Sequence, residues 1–163
     1  MNAADFPRLG LAESLERLSG MPAFLDAALV AVEPDDLLAR PGADEFSLTE
    51  HACHLRDLER EGYLVRVRRM LSEECPDLQG FDGTAIAAAR DYRSQDARAA
   101  ARDFASTRRE VVGLLRPLTA GDLRREATFG GKRICLADLV AMMVDHDREH
   151  REEIEGLMDS IEE

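Results

Sequence analysis

The chain contains no tryptophan, two tyrosines and six phenylalanines. Its core must therefore be built from Leu, Val, Ile, Met and Ala, and the small alanines permit close approach of helices. Cysteine is equally sparse. Cys53, Cys75 and Cys135 are an odd number, without Cys-x-x-Cys spacing, which excludes a disulfide scaffold and a thiolate zinc knuckle and leaves each as an inert core or helix-end thiol. No stretch offers the roughly 18 uninterrupted apolar residues of a membrane helix, and MNAADFPRLGLAE lacks a basic segment followed by an apolar run. A soluble, cytoplasmic protein is expected. Also missing are a Gly-rich phosphate loop after a strand, a Gly-x-Ser-x-Gly elbow and zinc-finger spacing. Basic residues are outnumbered: 33 Asp and Glu face 21 Lys and Arg, a net charge of −12, which argues against nucleic acid or an anionic membrane as partner. An apolar fraction of 45% is too high for a disordered chain, and 163 residues suit a single domain over 1–163 with its core in about 11–157.

Four segments carry a helical period and none carries the strict alternation of a half-buried strand, so the fold class is all-α. The first runs from about Leu11 to Val32, with Leu15, Leu18, Met21, Phe24, Leu25, Ala28 and Val32 on one stripe and Pro22 placed to kink or divide it. A punctuated link follows, from Glu33-Pro-Asp-Asp to Arg40-Pro-Gly. Ser47-Leu-Thr-Glu50 is a capping box for a helix over 48–73, with Phe46 packing outside it. In that helix Arg60, Arg66, Arg68 and Arg69 interleave with acids and read as solvent contacts and salt bridges. The stretch from Cys75 to Tyr92 holds Pro, Gly and Asp turn signals and then an alanine-rich turn or short helix. It is long for a bundle connection and suited to covering a cavity mouth. A third helix spans about Gln95 to Leu115, with Ala97, Ala100, Ala101, Phe104, Val111 and Leu115 inward. After Pro117, Gly121, Gly130 and Gly131, the last helix runs from about Leu136 to Met158. A four-helix bundle with a long crossover between its second and third helices buries these stripes most simply.

All four histidines fall on two of these helices, as His51-Ala-Cys-His54 and His146-Asp-Arg-Glu-His150. Spacings of three and four residues place side chains on one helix face. On the last helix, Leu136, Leu139, Met143, His146, His150, Ile154 and Leu157 keep one 3-4 rhythm, so the two imidazoles stand where Leu or Met would maintain packing. Buried ring nitrogens need hydrogen bonds, water or metal. A shared ion satisfies both, and His54, one turn before Leu58, is the better third ligand. His51 flanks the site or faces solvent. Three neutral imidazoles leave an open position on a tetrahedral ion, as a reactive site requires, and zinc, nickel and ferrous iron are all admissible. The segment is not the His-Glu-x-x-His motif of a metalloprotease, because Asp147 replaces its glutamate; Asp147 or Glu149 is placed to orient a histidine.

Three segments, F46-S-L-T-E-H-A-C-H-L-R-D-L-E59, F81-D-G with R90-D-Y-R-S-Q-D96, and L136-A-D-L-V-A-M-M-V-D-H-D-R-E-H-R-E-E-I154, give the chain a resemblance to the DinB/YfiT-like four-helix family over about Leu11 to Leu157. In that family the histidine of the His-Leu-Arg-Asp segment and the two of the final His-x3-His helix commonly form a metal triad. Residue by residue these are His54, His146 and His150. The resemblance implies a divalent metal, a bundle with a long crossover, and frequently a homodimer. Some relatives transfer low-molecular-weight thiols, and others carry hydrolase or stress-response labels. The departures are Phe46, where relatives often have Trp, and the additional His51.

Metal-dependent transfer of a small thiol to an electrophilic small-molecule substrate is the leading expectation, since an ion on three imidazoles lowers the pKa of a coordinated water or thiol. The alternatives are a metal-dependent hydrolase using the same ligands and a non-catalytic metal-binding stress or sensor protein. His51, Asp57 and Glu61 are candidates to assist proton transfer or hold the shell, Tyr63 and Tyr92 to shape a pocket, and Arg90 and Arg93 to meet an acidic substrate.

Overall fold

The computed structural model describes residues 9–162; residues 1–8 of the N-terminal stretch read above, together with Glu163, lie outside the described residues. Helix α1 spans Leu11–Ala31 and runs unbroken through Pro22. Proline has no N–H to donate to the carbonyl four residues back, that of Leu18. That carbonyl is instead bonded by Arg108 Nη1 at 2.9 Å. After a 3₁₀ turn at Pro34–Asp36, helix α2 (Leu48–Asp57) opens on the anticipated capping box. Ser47 Oγ accepts from the Glu50 amide at 3.2 Å and Glu50 Oε1 accepts from the Ser47 amide at 3.1 Å. A π-helical segment, Leu58–Tyr63, joins α2 without a break to α3 (Leu64–Ser72), so the two form one rod.

The crossover contains a strand, β1 (Asp77–Leu78), and a helix, α4 (Gly83–Arg90), capped by Asp82. Helix α5 spans Ala97–Leu115, its cap Asp96 lying one residue beyond the expected start. Helix α6 (Ala120–Leu123) precedes strands β2 (Glu126–Phe129) and β3 (Lys132–Cys135), and α7 runs Leu136–Glu162, past the expected end at Met158. The strands were not anticipated. They make a small sheet, β1 parallel to β2 and β2 antiparallel to β3. At two to four residues each, they are too short to display an alternating pattern. Gly130 and Gly131, at φ +59° and +79°, close the hairpin between paired Phe129 and Lys132, as a two-residue turn with two left-handed positions demands.

The bundle is not a simple up-and-down array. Helix α1 packs on α5 and α7, and α2 packs on α5 and α7, so α1 and α2 sit on one diagonal and α5 and α7 on the other. Consecutive helices are diagonal partners in two of three steps, and α2 and α7, remote in sequence, become neighbours. No helix among the described residues is long and apolar enough to cross a membrane.

The core falls into two apolar clusters. One holds Leu18, Val67, Met70, Val111, Leu115, Leu139 and Met143; the other holds Met21, Leu25, Leu48, Ala52, Phe104, Ile154 and Leu157. On each helix the change from one cluster to the other falls at the same level. Buried polar residues occupy that level on three helices: His51, His54, Asp57 and Glu59 on the α2 rod, Arg108 on α5, and Asp147 and His150 on α7.

Candidate metal centre

The polar level has two halves, and in the first every donor is used. Arg108, 2% exposed, is among the largest fully buried side chains. Its Nε and Nη2 donate to Glu59 at 2.6 and 3.0 Å, Nη1 and Nη2 to Asp147 at 2.6 and 2.9 Å, and Nη1 also to the Leu18 carbonyl. A guanidinium has five N–H bonds, and these contacts employ all of them. Burial works against the charge on Arg108, and the facing carboxylates of Glu59 and Asp147 overcome it, holding its pKa above the usual value. Asp147, expected to orient a histidine, serves Arg108 instead, and Glu149 is exposed.

The other half is the histidine cluster. Ligand nitrogens of His54, His146 and His150 lie within 4.8 Å of one another, and the ring centroids are 4.3 Å apart for His146 and His150 and 4.8 Å for His54 and His150. The Nε2 atoms of His146 and His150 are separated by 3.1 Å. Two nitrogens on one tetrahedral zinc, with bonds of 2.0–2.1 Å, stand about 3.3 Å apart. His54 Nδ1 is buried and makes no hydrogen bond among the described residues. Leaving a buried ring nitrogen unsatisfied is costly. A shared divalent cation therefore fits these three side chains by donor type and by spacing.

Electrostatics also suits a cation. Burial is the main force lowering all four imidazole pKa values; repulsion from neighbouring rings adds to it at His51, His146 and His150, and Asp57 opposes it at His54. His51, His54 and His146 are brought to about 4 and His150 to about 2. Neutral imidazole is the form that ligates metal.

Aromatic rings wall the cluster. Phe46 lies 5.6 Å from His51 and 5.5 Å from His54, Phe81 lies 6.0 Å from His54, and Tyr63 lies 6.1 Å from His146, all between centroids. From the crossover, Gly83 closes on His54 so tightly that a Cβ would stand 2.7 Å from Cε1 and 3.0 Å from Nδ1. The crossover thus covers His54 with Phe81 and Gly83.

Other side chains singled out in the sequence have different work. Asp57 accepts from Arg56 Nε at 2.8 Å and Tyr92 Oη at 2.6 Å, and pairs with Arg90 at 3.0 Å. Burial acts to raise its pKa, and the bonds from Arg56 and Tyr92 outweigh it, bringing the value down to about 2. Glu61 is paired with Arg90, and Arg93 reaches the Leu38 carbonyl. Asp57 and Glu61 brace the crossover against the α2 rod, and Arg93 ties it to the link before that rod. Arg66 is not solvated: it is 5% exposed, donates twice to the Gln79 carbonyl and packs over Phe129. Arg68 and Arg69 do form outward ion pairs, and the exposed Arg60 reaches the buried Asp57 carboxylate. The Cys53 thiol is buried and pushed up to about 11, chiefly by burial, which leaves it unreactive.

The sequence allows His51 either to flank the site or to face solvent. It is 2% exposed, and its Nδ1 stands 3.3 Å from Nδ1 of His150. Glu153, absent from the sequence reading, completes a second group with these two histidines. Its Oε2 is 3.8 Å from His51 Nε2 and 3.6 Å from His150 Nδ1. The available signal was its place three residues after His150, one helical step along.

A four-helix bundle with a diagonal order of helices, carrying three converging imidazoles contributed by its second and last long helices, defines the class. The chain belongs to the DinB superfamily, whose family model matches residues 17–154. It is similar in structure to YfiT from Bacillus subtilis, with a TM-score of 0.86, 21% sequence identity, and coverage of 96% of this chain and 93% of that one. YfiT is described as a probable metal-dependent hydrolase with an unusual four-helix bundle topology. At that identity the likeness is one of fold. No curated protein matches the chain significantly.

Proposed function

We propose that the chain is a metal-dependent hydrolase of small-molecule substrates in which His54, His146 and His150 hold a divalent ion, with zinc, nickel and ferrous iron all suited to the donors. The observation that carries this reading is the convergence of three neutral imidazoles, His54 and His150 buried and His146 half-buried, with ligand nitrogens within 4.8 Å, one ring retaining an unpartnered buried nitrogen. When bound, such an ion supplies a water of lowered pKa and polarises the substrate. The chain's own residues hold and shield it. The α2 rod and α7 fix the ligand rings, and Phe46, Tyr63 and Phe81 keep bulk water from their faces.

The description of YfiT weighs for hydrolysis over thiol transfer, the activity that the family resemblance first implied. Both need the same ligands, and only transfer needs a cosubstrate. The test is metal content of protein purified without chelator, followed by turnover of ester, amide and phosphoester panels with and without low-molecular-weight thiols. Hydrolysis that is independent of thiol and lost in His146→Ala supports the proposal. Turnover only with thiol replaces it by transfer. Metal retention without turnover favours a binding or sensor role, and wild-type protein that binds no divalent ion overturns the metal reading altogether.

A further inference from the structure

His150 is the one ring in the cluster with both nitrogens engaged by other imidazoles: Nε2 faces His146 Nε2 at 3.1 Å, and Nδ1 faces His51 Nδ1 at 3.3 Å. A neutral imidazole carries one proton, so its two sides must play opposite parts. If the proton were on Nε2, it would point at the nitrogen of His146 and occupy the space where the three ligand atoms converge. With the proton on Nδ1, it points at His51, and the Nε2 lone pair is free for the site. His51 then receives that proton's hydrogen bond on its own Nδ1 and keeps its own hydrogen on Nε2, the side facing Glu153 Oε2 at 3.8 Å.

We infer that His51 is a positioning residue: by accepting a hydrogen bond from His150 Nδ1, it holds His150 in the tautomer whose Nε2 is a ligand. The inference rests on the metal site proposed above. It accounts for a side chain that the three-histidine set does not require. His51 lies one helical step before His54 on α2, is 2% exposed, and is held in place by the edge of the Phe46 ring at 5.6 Å and an interplanar angle of 84°. Its ring meets that of His150 edge to face, 5.3 Å between centroids and 81° between planes. Such a contact aims a ring nitrogen rather than stacking two faces. Glu153 Oε2 lies beside both rings, 3.6 Å from His150 Nδ1 and 3.8 Å from His51 Nε2, both beyond hydrogen-bond distance, so His51 Nδ1 at 3.3 Å is the nearer acceptor for the His150 Nδ1 proton and the carboxylate adds negative charge behind the pair. The competing use of these atoms is a second ion on His51, His150 and Glu153, which would need both His150 nitrogens to act as ligands at once.

Long-range ¹H–¹⁵N NMR of histidine-labelled protein, metal-free and zinc-loaded, reads the tautomer directly, and competition with a chromophoric chelator reads zinc affinity and stoichiometry. Wild-type protein should show His150 protonated on Nδ1 in both states and bind one zinc per chain. His51→Leu, which keeps volume but removes the acceptor, should lose about 10- to 100-fold in zinc affinity and show a mixed His150 tautomer. His51→Gln, which restores an acceptor, should recover most of both. His150 protonated on Nε2 in metal-free wild type overturns the inference whether or not His51→Leu folds, as does binding of two zinc ions per chain, or His51→Leu with unchanged affinity and tautomer. If wild type binds no zinc, the metal reading fails, and the metal-free tautomer still decides the role of His51.

Discussion

Two groups of polar side chains share one level of this bundle, and they are built on opposite plans. Around Arg108 each N–H has a carboxylate or carbonyl to receive it. Around His150 the ring nitrogens face one another, and His54 Nδ1 has no partner among the described residues. The first group is closed and needs nothing from outside the chain; the second is a set of donors awaiting an acceptor. The contrast separates a polar cluster that holds helices together from one suited to a ligand, although both are buried and both span the α2 rod and α7.

Breaking the closed group should have the largest effect. Arg108→Met leaves Glu59 and Asp147 buried without a counter-charge, and a loss of about 3–5 kcal/mol is expected in urea unfolding. Replacing Glu59, Arg108 and Asp147 together by apolar residues of similar size should recover most of it, since a removed ion cluster costs less than a broken one. The open group should respond to ligand instead. Zinc at 100 times its dissociation constant should stabilise wild type by about 2.7 kcal/mol. The same addition should leave the melting temperature of His146→Ala nearly unchanged, and a zinc-dependent rise of equal size in that variant would sink the distinction.

Acid offers a finer separation. The histidines have folded-state pKa values below that of unfolded histidine, so the unfolded chain binds more protons as pH falls. Stability of the metal-free chain is therefore full above about pH 6.5 and declines toward pH 4, by up to about 1.4 kcal/mol per pH unit for each histidine. Zinc should shift that decline to lower pH. Asp57 acts in a lower window: its depressed pKa stabilises the fold above about pH 4 and that contribution fades as pH approaches 2. Equilibrium unfolding across pH, with and without zinc, measures both. Smallest is the cap. Ser47→Ala should cost about 1 kcal/mol while leaving zinc affinity unchanged, because Ser47 holds the start of α2 and contributes no ligand atom.

The sequence made the four long helices legible because their apolar stripes are long and their caps sharp, with Ser47 and Glu50 the clearest case. It made the convergence of His146 and His150 legible because both interrupt one inward rhythm. The small sheet was not, because strands of two to four residues carry no period. Nor was the Arg108 group. Its trace was a vacancy in the α5 stripe, between Phe104 and Val111, where a charged residue reads as solvent-facing until Glu59 and Asp147 are brought to it from 49 and 39 residues away. Glu59 itself lies in the π turn, where the wider winding departs from the 3.6-residue rhythm used to judge which face is inward. Arg66 departs from the solvent contact its sequence pattern suggests for a related reason: the carbonyl that receives it, Gln79, belongs to the crossover, and local pattern carries no information on where a crossover returns.

The diagonal order of the helices also has a kinetic side. His54 and His146 are brought together by α7 docking beside α2, and closing so long a stretch of chain carries an entropic cost that slows that docking. An ion that needs both helices has no complete site in the transition state if that docking follows it. Zinc should then slow unfolding and leave the refolding rate nearly untouched, making the ion a latch on the finished bundle rather than a nucleus for building it.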